Sequence, residues 1–328
     1  MTDHSESPAG RVVIGGSTGF MGQYLVPRFR AAGREVVTVS RSGADVAWGD
    51  QAAIDRAVDG ADLVIGLAGK SVNCRYTPDN RAAIFRSRLD TTASLSSAIA
   101  RAADPPALWV NSSTATIYRH AEDRPMTESG GEIGAGFSVE VAKAWERALF
   151  ADDLPSTRRV ALRTAIVLGH GGVLGPLRNL ARLGLGGAQY DGRWPISRAR
   201  RAAGTGHYFG ARRGRQRFSW VHVDDVARII DFLEQHPEID GPINAAAPHP
   251  VDNTTFMATV RRVLGVRVGP PMPRWMLELG AIGIRTETEL ILKSRWVLPE
   301  ALTAAGFAFA HPELEGAIRE SFDREPAA

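Results

Sequence analysis

Residues 12–22, which read VVIGGSTGFMG, decide the fold that the sequence predicts. The apolar residues Val12, Val13 and Ile14 form a strand pattern that runs directly into a glycine-rich turn. A helix pattern over residues 20–32 follows the turn. Strand, glycine turn and helix, in this order, put a helix N-terminus where it can receive a diphosphate. The stretch therefore predicts a dinucleotide site near the start of an α/β fold.

The three-residue spacing of Gly16, Gly19 and Gly22 assigns each glycine a role. The first makes a tight turn, the second lets a phosphate approach the backbone, and the third lets the helix pack on the strand. Ser17 and Thr18 add hydroxyl donors and are predicted to cap the helix. A glycine-rich loop without a ligand is the alternative, and the flanking strand and helix argue against it. The predicted contacts of this turn are Gly16, Ser17, Thr18, Gly19, Phe20, Met21 and Gly22.

A second strand, residues 35–40, ends at Ser40 and is followed at once by Arg41, with no acidic residue before Asp45. At this point of a dinucleotide fold an acid suits the ribose 2′-hydroxyl of NAD, whereas an arginine suits the 2′-phosphate of NADP. The pattern therefore predicts NADP, with Ser40 and Arg41 as contacts. An ordinary surface arginine is the alternative.

A third strand, residues 62–67, is an almost unbroken apolar run, as expected for a strand buried on both faces of a parallel sheet. Its end, Leu67, Ala68 and Gly69, leaves room for a ligand across the sheet edge. Asp50 either contacts the adenine or caps the helix over residues 51–58, and both interpretations stay open.

Strands and helices continue to alternate along the chain. Helix patterns cover residues 78–102 and 137–150, and strand patterns cover 108–111 and 159–168. Arg88 in the first of these helices is predicted either to face solvent or to turn inward toward a bound phosphate. The alternation predicts a Rossmann-type, doubly wound parallel sheet with a smaller, mainly helical C-terminal substrate lobe.

The predicted domain organisation follows from where this alternation stops. The division is a disordered lead-in at 1–9, a dinucleotide-binding domain at 10–175 that also receives about 218–247, and a substrate lobe at 176–217 and 248–328.

An arginine-rich loop, residues 188–217, concentrates the positive charge of the chain. Eight arginines and no acid lie between residues 192 and 217. The charge of this stretch therefore exceeds the net charge of +3 of the whole chain. Three interpretations remain, in falling order of preference: a mobile solvated loop, a lid that attracts an anionic substrate or the NADP phosphates, and a nucleic-acid surface. Interleaved aromatic residues are compatible with the last. They are Tyr190, Trp194, His207 and Tyr208.

The composition is that of an ordinary globular protein: 328 residues, 44% hydrophobic and 23% charged. A single cysteine, Cys74, excludes an internal disulfide and a cysteine-based metal site, and no metal is predicted. No apolar run reaches membrane-spanning length, and the first nine residues lack a secretory pattern. The expectation is a cytoplasmic protein without a membrane partner.

Several motifs together resemble the extended short-chain dehydrogenase/reductases. Within them the chain is most similar to the atypical epimerase-family branch of YfcH-like and SDR39U1-like proteins, which carry a DUF1731-type C-terminal lobe. The resemblance covers nearly the whole chain and implies an NADP-binding Rossmann domain without naming a substrate. The segments that carry it are SSTATIY at 112–118, VHVDDV at 221–226, SVNCRYTPDNR at 71–81, the pairs Ser87-Arg88 and Trp145-Glu146, and WVLPEALTAAGFAF at 296–309.

The catalytic pattern of these folds is incomplete in this chain. A tyrosine usually moves the proton, a lysine four residues later lowers the tyrosine pKa, and a serine or threonine binds the reacting oxygen. Thr114 matches the last position. Alignment on Lys143 puts Val139 at the tyrosine position, whereas alignment on Glu146 puts Ser138 and Ala142 at the two positions. Neither alignment gives the Tyr-x-x-x-Lys pair.

Tyr118, Glu140 and Lys143 are the predicted substitutes for the missing pair, together with Thr114 as the hydroxyl partner. Each has a structural alternative, since Tyr118 suits a packed aromatic and Glu140 with Lys143 suits a surface ion pair. The leading hypothesis is an NADP-dependent oxidoreductase or epimerase that acts on a small substrate. The positive charge of the arginine-rich loop is compatible with an anionic substrate. The alternative is a regulatory or sensor protein that binds NADP(H) without turnover, and nucleic-acid binding ranks last.

Overall fold

A computed structural model describes residues 10–211, 213–283 and 285–323, so the predicted lead-in, residues 1–9, lies outside the described residues. The elements of the first half are β1 (Arg11–Gly15), α1 (Phe20–Ala31), β2 (Glu35–Ser40), β3 (Val46–Ala47), α2 (Gln51–Val58), β4 (Leu63–Gly66), α3 (Pro78–Arg101), β5 (Leu108–Thr114), α4 (Phe137–Leu149) and β6 (Arg158–Thr164). Those of the second half are β7 (Ile166–Leu168), α5 (Leu174–Arg182), α6 (Arg198–Ala202), β8 (Arg217–Phe218), β9 (Trp220–His222), α7 (Val223–Gln235), β10 (Gly241–Ala245), β11 (Val251–Asp252), α8 (Asn253–Val263), α9 (Arg274–Gly283), α10 (Glu289–Leu292), α11 (Glu300–Ala304) and α12 (Leu314–Asp323).

Seven parallel strands form the central sheet, in the order β3-β2-β1-β4-β5-β6-β10. The chain builds outward from β1 in one direction, then returns to add β4 on the other side. The direction of winding therefore changes between β1 and β4, where Gly15 lies opposite Gly66. In such sheets ligands bind outside the carboxyl ends of the strands at this switch point. The predicted doubly wound parallel sheet is confirmed.

Both faces of the sheet are buried, which explains the continuous apolar runs in the strands. Val12 and Ile14 pack with Leu25 on one face, whereas Val13 packs with Ile54 on the other. Alternate residues of a strand point to opposite faces, so every position of such a run enters a core.

The predicted strand over residues 159–168 is wrong as a single element. The backbone N–H of Ala165 donates to Ala245 O, at the sheet edge, but that of Ile166 donates to Ser219 O. The chain therefore leaves the central sheet after β6, and β7 pairs with β9 instead. An apolar pattern continues through this change of partner, so the sequence could not mark it.

The C-terminal region is mainly helical, as predicted, and has its own core. Trp220 and Phe256 are buried there beside Leu314 and Ile318 of α12. Within the described part of the chain, no helix has both the length and the apolar character that a bilayer crossing requires.

Candidate functional site

The turn between β1 and α1 has the close approaches that its glycines were predicted to permit. Gly16 has a φ of +84°, and a Cβ there would lie 2.8 Å from the backbone nitrogen of Ala68. At Gly22 a Cβ would lie 2.5 Å from the carbonyl oxygen of Ser17. Gly19 is exposed, and Gly16 O, at 3.3 Å, is its single close neighbour. The turn is tight where it meets the protein and open where a phosphate would approach.

The prediction that Ser17 and Thr18 cap α1 is wrong. Gly19 holds the N-cap position, so α1 has no side-chain capping hydrogen bond. Thr18 Oγ1 instead lies 3.0 Å from Ser40 Oγ, and the buried Ser17 hydroxyl has no hydrogen-bond partner in the described part of the chain. Amide groups without a side-chain cap, next to an unpartnered buried hydroxyl, fit a diphosphate at this helix end.

An open cleft of about 560 Å³ lies between α1 and the loop after β2. Arg41 is exposed at the end of β2, directly after the buried Ser40. The nearby carboxylate of Asp45 is occupied, since it accepts hydrogen bonds from Thr38 N at 2.9 Å and Thr38 Oγ1 at 2.7 Å. These bonds also hold the pKa of Asp45 below its usual value. Arg30 lines the same cleft and was missed from the sequence.

Asp50 takes the structural role of its two interpretations. Its Oδ1 accepts a hydrogen bond from Ala53 N at 3.0 Å and so caps α2. It lines neither the open cleft nor the cavity described next.

A second, more enclosed cavity of about 420 Å³ lies at the carboxyl ends of β4 and β5, and we call it the inner cavity. It joins elements that are far apart in sequence, from the start of α1 to the N-terminal turn of α4. Ala68 lies beside it, against the glycine turn. The predicted site residues that line it are Phe20, Met21, Leu67, Gly69, Arg88 and Thr114.

Arg88 turns inward and carries an uncompensated charge. Its Nη1 donates to the carbonyl oxygens of Lys70 and Ile84, each at 3.1 Å, and its guanidinium lies 4.8 Å from the centre of the Trp145 ring. No carboxylate pairs with it among the described residues, and burial lowers its pKa to about 10. A buried cation with no acidic partner favours an anionic group in the cavity.

Thr114 ends β5 at the wall of the inner cavity. Its Oγ1 accepts a hydrogen bond from Thr116 N at 3.1 Å, which leaves the hydroxyl proton for another acceptor. The neighbouring Ser112 hydroxyl is buried without a partner in the described structure. Ser113 donates to Glu146 at 2.6 Å.

Tyr118 does not line the inner cavity, so the structure does not support its predicted catalytic role. Its hydroxyl donates to Asn244 Oδ1 at 3.0 Å and accepts from Arg163 Nη1 at 2.9 Å. Arg163 in turn forms two hydrogen bonds of 2.8 Å with Glu146. Tyr118 is therefore the packed, hydrogen-bonded aromatic of its structural alternative, and burial raises its pKa.

Glu140 and Lys143 are likewise outside the inner cavity. They form an ion pair of 2.9 Å, with 51% and 40% of their side chains exposed. The surface pairing is what the structure shows, so neither residue meets the requirement of a catalytic group in the cavity.

Sequence reasoning missed the polar residues that the C-terminal segment brings to the cavity. Lys293 is buried and donates to Thr116 O at 2.7 Å, and burial lowers its pKa to about 8. Arg295 donates to Thr116 Oγ1 at 3.0 Å. Two cations thus lie directly behind a residue of the cavity wall. Their positions depend on contacts across about 180 residues, for which the sequence gives no signal.

Tyr76 and Ser138, which also line the inner cavity, were not predicted as site residues. The Tyr76 ring packs 4.7 Å from the ring of Phe137, and its backbone N–H donates to Glu287 Oε1 at 3.0 Å. Ser138 donates to Glu289 Oε2 at 3.1 Å. The one sequence signal for Tyr76 was its place in the segment 71–81, which carried the family resemblance.

The described part of the arginine-rich loop is packed against the molecule. Asp191 pairs with Arg274 at 2.5 Å, and Arg200 pairs with the buried Glu287 at 2.7 Å. Gly204 O accepts from the backbone of Phe137 at 3.0 Å, next to the inner cavity. The loop is thus not the fully solvated segment that the sequence favoured. Its exposed arginines are Arg193, Arg198, Arg201, Arg213 and Arg215.

Comparison with family models places two regions of the chain. Residues 12–134 match the NAD dependent epimerase/dehydratase family, and residues 272–321 match a domain of unknown function, DUF1731.

Known proteins match over almost the whole length. Epimerase family protein SDR39U1 from Homo sapiens is 32% identical over 94% of this chain and 99% of its own. Epimerase family protein YfhF from Bacillus subtilis is 29% identical over 94% of this chain and 97% of its own. The crystal structure of human SDR39U1 (isoform 2) with NADPH superposes with a TM-score of 0.81 at 30% identity, covering 96% of this chain and 100% of that chain.

Proposed function

The chain belongs to the epimerase family that includes SDR39U1, and we propose that it is an NADP(H)-dependent oxidoreductase or epimerase acting on a small substrate. One observation carries the proposal: the start of α1, after the glycine turn, and Thr114 at the end of β5 line a single inner cavity. A hydride-transfer site needs this combination, because the nicotinamide and the reacting carbon must lie side by side.

Different residues of the chain would hold different parts of the cofactor. The glycine turn, the N-terminus of α1 and the Ser17 hydroxyl would hold the diphosphate. Phe20, Met21 and Leu67 would pack on the nicotinamide, with Ala68 and Gly69 allowing its approach. A bound nicotinamide cofactor would supply or accept a hydride in the inner cavity. Thr114 would donate a hydrogen bond to the reacting oxygen of the substrate.

NADP rather than NAD is supported by the end of β2. Arg41 is free to meet a 2′-phosphate, while the carboxylate of Asp45 is engaged by Thr38. The presence of NADPH in the human SDR39U1 crystal structure supports the same assignment.

The size and charge of the inner cavity favour a small, anionic substrate. About 420 Å³ must hold the nicotinamide as well as the substrate, which leaves little room for a large one. Arg88 offers a positive charge without an acidic partner in the described structure.

The domain division predicted from sequence is also proposed, because β10 and α7 return to the sheet and its core after the arginine-rich loop. A single cysteine, Cys74, suits a reducing compartment, and we propose the cytoplasm.

Cofactor binding tests the proposal directly. We expect titration of the purified protein, followed by NADPH fluorescence, to give a dissociation constant in the micromolar range or below, with NADH at least about tenfold weaker. Oxidation of NADPH should then be measured with a panel of small carbonyl compounds that includes oxo acids. Absence of NADPH binding would overturn the proposal.

A sensor that binds NADP(H) without turnover is the second candidate. It is favoured by Ser138 and Ala142, which occupy the family's tyrosine and lysine positions on α4 when the alignment uses Glu146. It requires tight NADPH binding without oxidation of NADPH by any compound of the panel. Turnover that Thr114→Ala abolishes would exclude it.

A further inference from the structure

Tyr76 has the features of a functional phenol. The residue is 8% exposed and lines the inner cavity. Its hydroxyl makes no hydrogen bond of good geometry among the described residues, although the Ser138 hydroxyl is close enough to interact with it. Burying a hydroxyl without a well-aligned partner costs stability, so structural residues usually avoid it. A substrate oxygen in the cavity would provide a well-aligned partner.

The position of Tyr76 relates it to the missing tyrosine of the family pattern. Ser138 stands where that tyrosine falls when α4 is aligned on Glu146, and Ser138 lines the same cavity. The Ser138 hydroxyl is also near enough to act on the pKa of the Tyr76 phenol. The segment before α3 thus brings a phenol to the place where α4 lacks one.

Two contacts fix the orientation of this phenol. The ring packs against Phe137, the first residue of α4, and the backbone N–H is bonded to the buried carboxylate of Glu287. Tyr76 is therefore held from both sides of the cavity, by α4 and by the C-terminal segment. Such fixed placement is what a proton donor requires.

The other candidate proton donors discussed above fit this role less well. Tyr118, Glu140 and Lys143 lie outside the cavity, and Lys293 is bonded to a backbone carbonyl behind its wall. Lys70 and Arg88 also line the cavity. Arg88 is held by two carbonyl oxygens, so Lys70 is the stronger rival of the two. Tyr76 is the one tyrosine among the described residues that line it.

We propose that Tyr76 is the catalytic acid of a carbonyl reduction and donates its phenolic proton to the substrate oxygen. The proposal rests on the proposed function. The carbonyl π bond breaks, a C–H bond forms with the hydride that a reduced nicotinamide cofactor supplies, and an O–H bond forms with the proton of Tyr76. The cofactor is oxidised by two electrons, the carbonyl compound is reduced to an alcohol, and the phenolate regains a proton from solvent.

The surroundings of Tyr76 act on its phenol in both directions. Burial, with Glu289, raises the pKa of the phenol, which keeps it protonated but also makes it a weaker acid. Arg295 acts in the opposite sense and stabilises the phenolate that remains after donation.

The first test needs no substrate. The protein contains five tyrosines, so ring-labelled tyrosine gives few NMR signals, and Tyr76→Phe identifies that of Tyr76. We expect saturating NADP⁺, whose positively charged nicotinamide would lie beside the phenol, to shift the ring signals of Tyr76. The exposed Tyr208 should not respond, and Tyr208→Phe identifies its signal. A Tyr76 signal that ignores bound NADP⁺ overturns the inference, whereas failure of NADP⁺ to bind overturns the proposed function.

The second test uses the carbonyl of the panel that is reduced fastest. Tyr76→Phe should lower the reduction rate about 100- to 1,000-fold while the NADPH dissociation constant changes less than about twofold. Tyr208→Phe should leave both unchanged. The inference is overturned if Tyr76→Phe reduces the carbonyl at the wild-type rate. It is also overturned if Lys70→Met loses the reduction rate and Tyr76→Phe does not, because the proton then comes from another group.

Discussion

Two arginines at opposite ends of the proposed cofactor site differ in how the protein holds them. Arg88 is fixed inside the inner cavity by two carbonyl oxygens and the Trp145 ring. Arg41 is exposed at the end of β2. A fixed, partly desolvated cation selects an anion by geometry, whereas an exposed one attracts it mainly by charge. We therefore propose Arg41 as the residue at which cofactor preference can be changed without disturbing the fold.

Arg41→Ala is expected to weaken NADPH binding about 10- to 100-fold, because a charge-assisted contact to a phosphate contributes about 1.5–3 kcal/mol. NADH binding should be unchanged, since NADH has no 2′-phosphate. Fluorescence titration of both cofactors measures this, with Arg147→Ala, an exposed arginine on α4, as the control. Equal losses for NADPH and NADH would place the 2′-phosphate elsewhere.

Gly22→Ala is expected to destabilise the protein by about 1–3 kcal/mol, the usual cost of overpacking. The new methyl group would lie 2.5 Å from Ser17 O and 2.6 Å from Gly16 O, so the turn or α1 must shift. Gly280→Ala in α9 is the matched control, because nothing lies within 4 Å of its Cβ position. The control should be stabilised by about 0.5–1 kcal/mol, since alanine favours a helix over glycine. Urea unfolding compares the two, and similar midpoints would contradict the packing role of Gly22.

At the scale of elements, the sequence predicted what depends on neighbours along the chain. The glycine turn, the alternating strands and helices and the end of β2 are local patterns, and the structure contains them. The features that the sequence could not predict depend on distant contacts. The chain leaves the central sheet so that β7 pairs with β9, and Tyr76 is fixed by a residue 211 positions away. The sequence also could not show that Tyr118 is a packed, hydrogen-bonded residue rather than a catalytic one, because its partner Asn244 lies 126 positions along the chain.

The pair Glu146–Arg163 ties α4 to β6, and both side chains are about nine-tenths buried. Glu146→Ala is expected to lower the free energy of unfolding by about 3–5 kcal/mol, because it leaves the Arg163 charge buried and unpaired. Glu140→Ala, which breaks the exposed pair with Lys143 on the same helix, should cost less than about 1 kcal/mol. Equal losses in urea unfolding would show that α4 does not depend on the buried pair.

At the scale of the whole molecule, we expect His207 to make the attachment of the arginine-rich loop sensitive to pH. Burial lowers its pKa from 6.5 to about 4, and Arg274 and Arg200 add to the effect, while Glu278 and Asp191 oppose it. The folded state therefore holds His207 neutral. Its contribution to the free energy of unfolding is fully present above pH 6.5 and is lost as the pH falls toward 4. Between pH 7.5 and pH 5, His207→Gln should lose about 1–2 kcal/mol less stability than the wild-type protein.

Urea unfolding at the two pH values measures this difference. His249→Gln is the control, because His249 is an exposed histidine with 61% of its side chain accessible. An unchanged pH dependence in His207→Gln would mean that other groups cause the acid destabilisation.

Glu287 joins three distant parts of the molecule beside the inner cavity. Its carboxylate accepts from Arg200 of the arginine-rich loop at 2.7 Å and from Tyr76 N at 3.0 Å, and it lies 3.5 Å from Arg75 Nε. It belongs to the C-terminal region that matches the DUF1731 model. The lobe, the loop and the segment of Tyr76 are thus coupled at one buried charge.

Glu287→Gln is expected to speed cleavage of the arginine-rich loop by trypsin on the order of tenfold, since about 1.4 kcal/mol of local stability is a factor of ten in the opened population. The lost charge would leave the half-buried Arg200 without its closest partner. Limited digestion followed by mass spectrometry locates the cuts, with the exposed Glu313→Gln as the control. If the loop is cut at the wild-type rate in Glu287→Gln, its hold must come from the pair Asp191–Arg274, and Asp191→Asn should then open it instead.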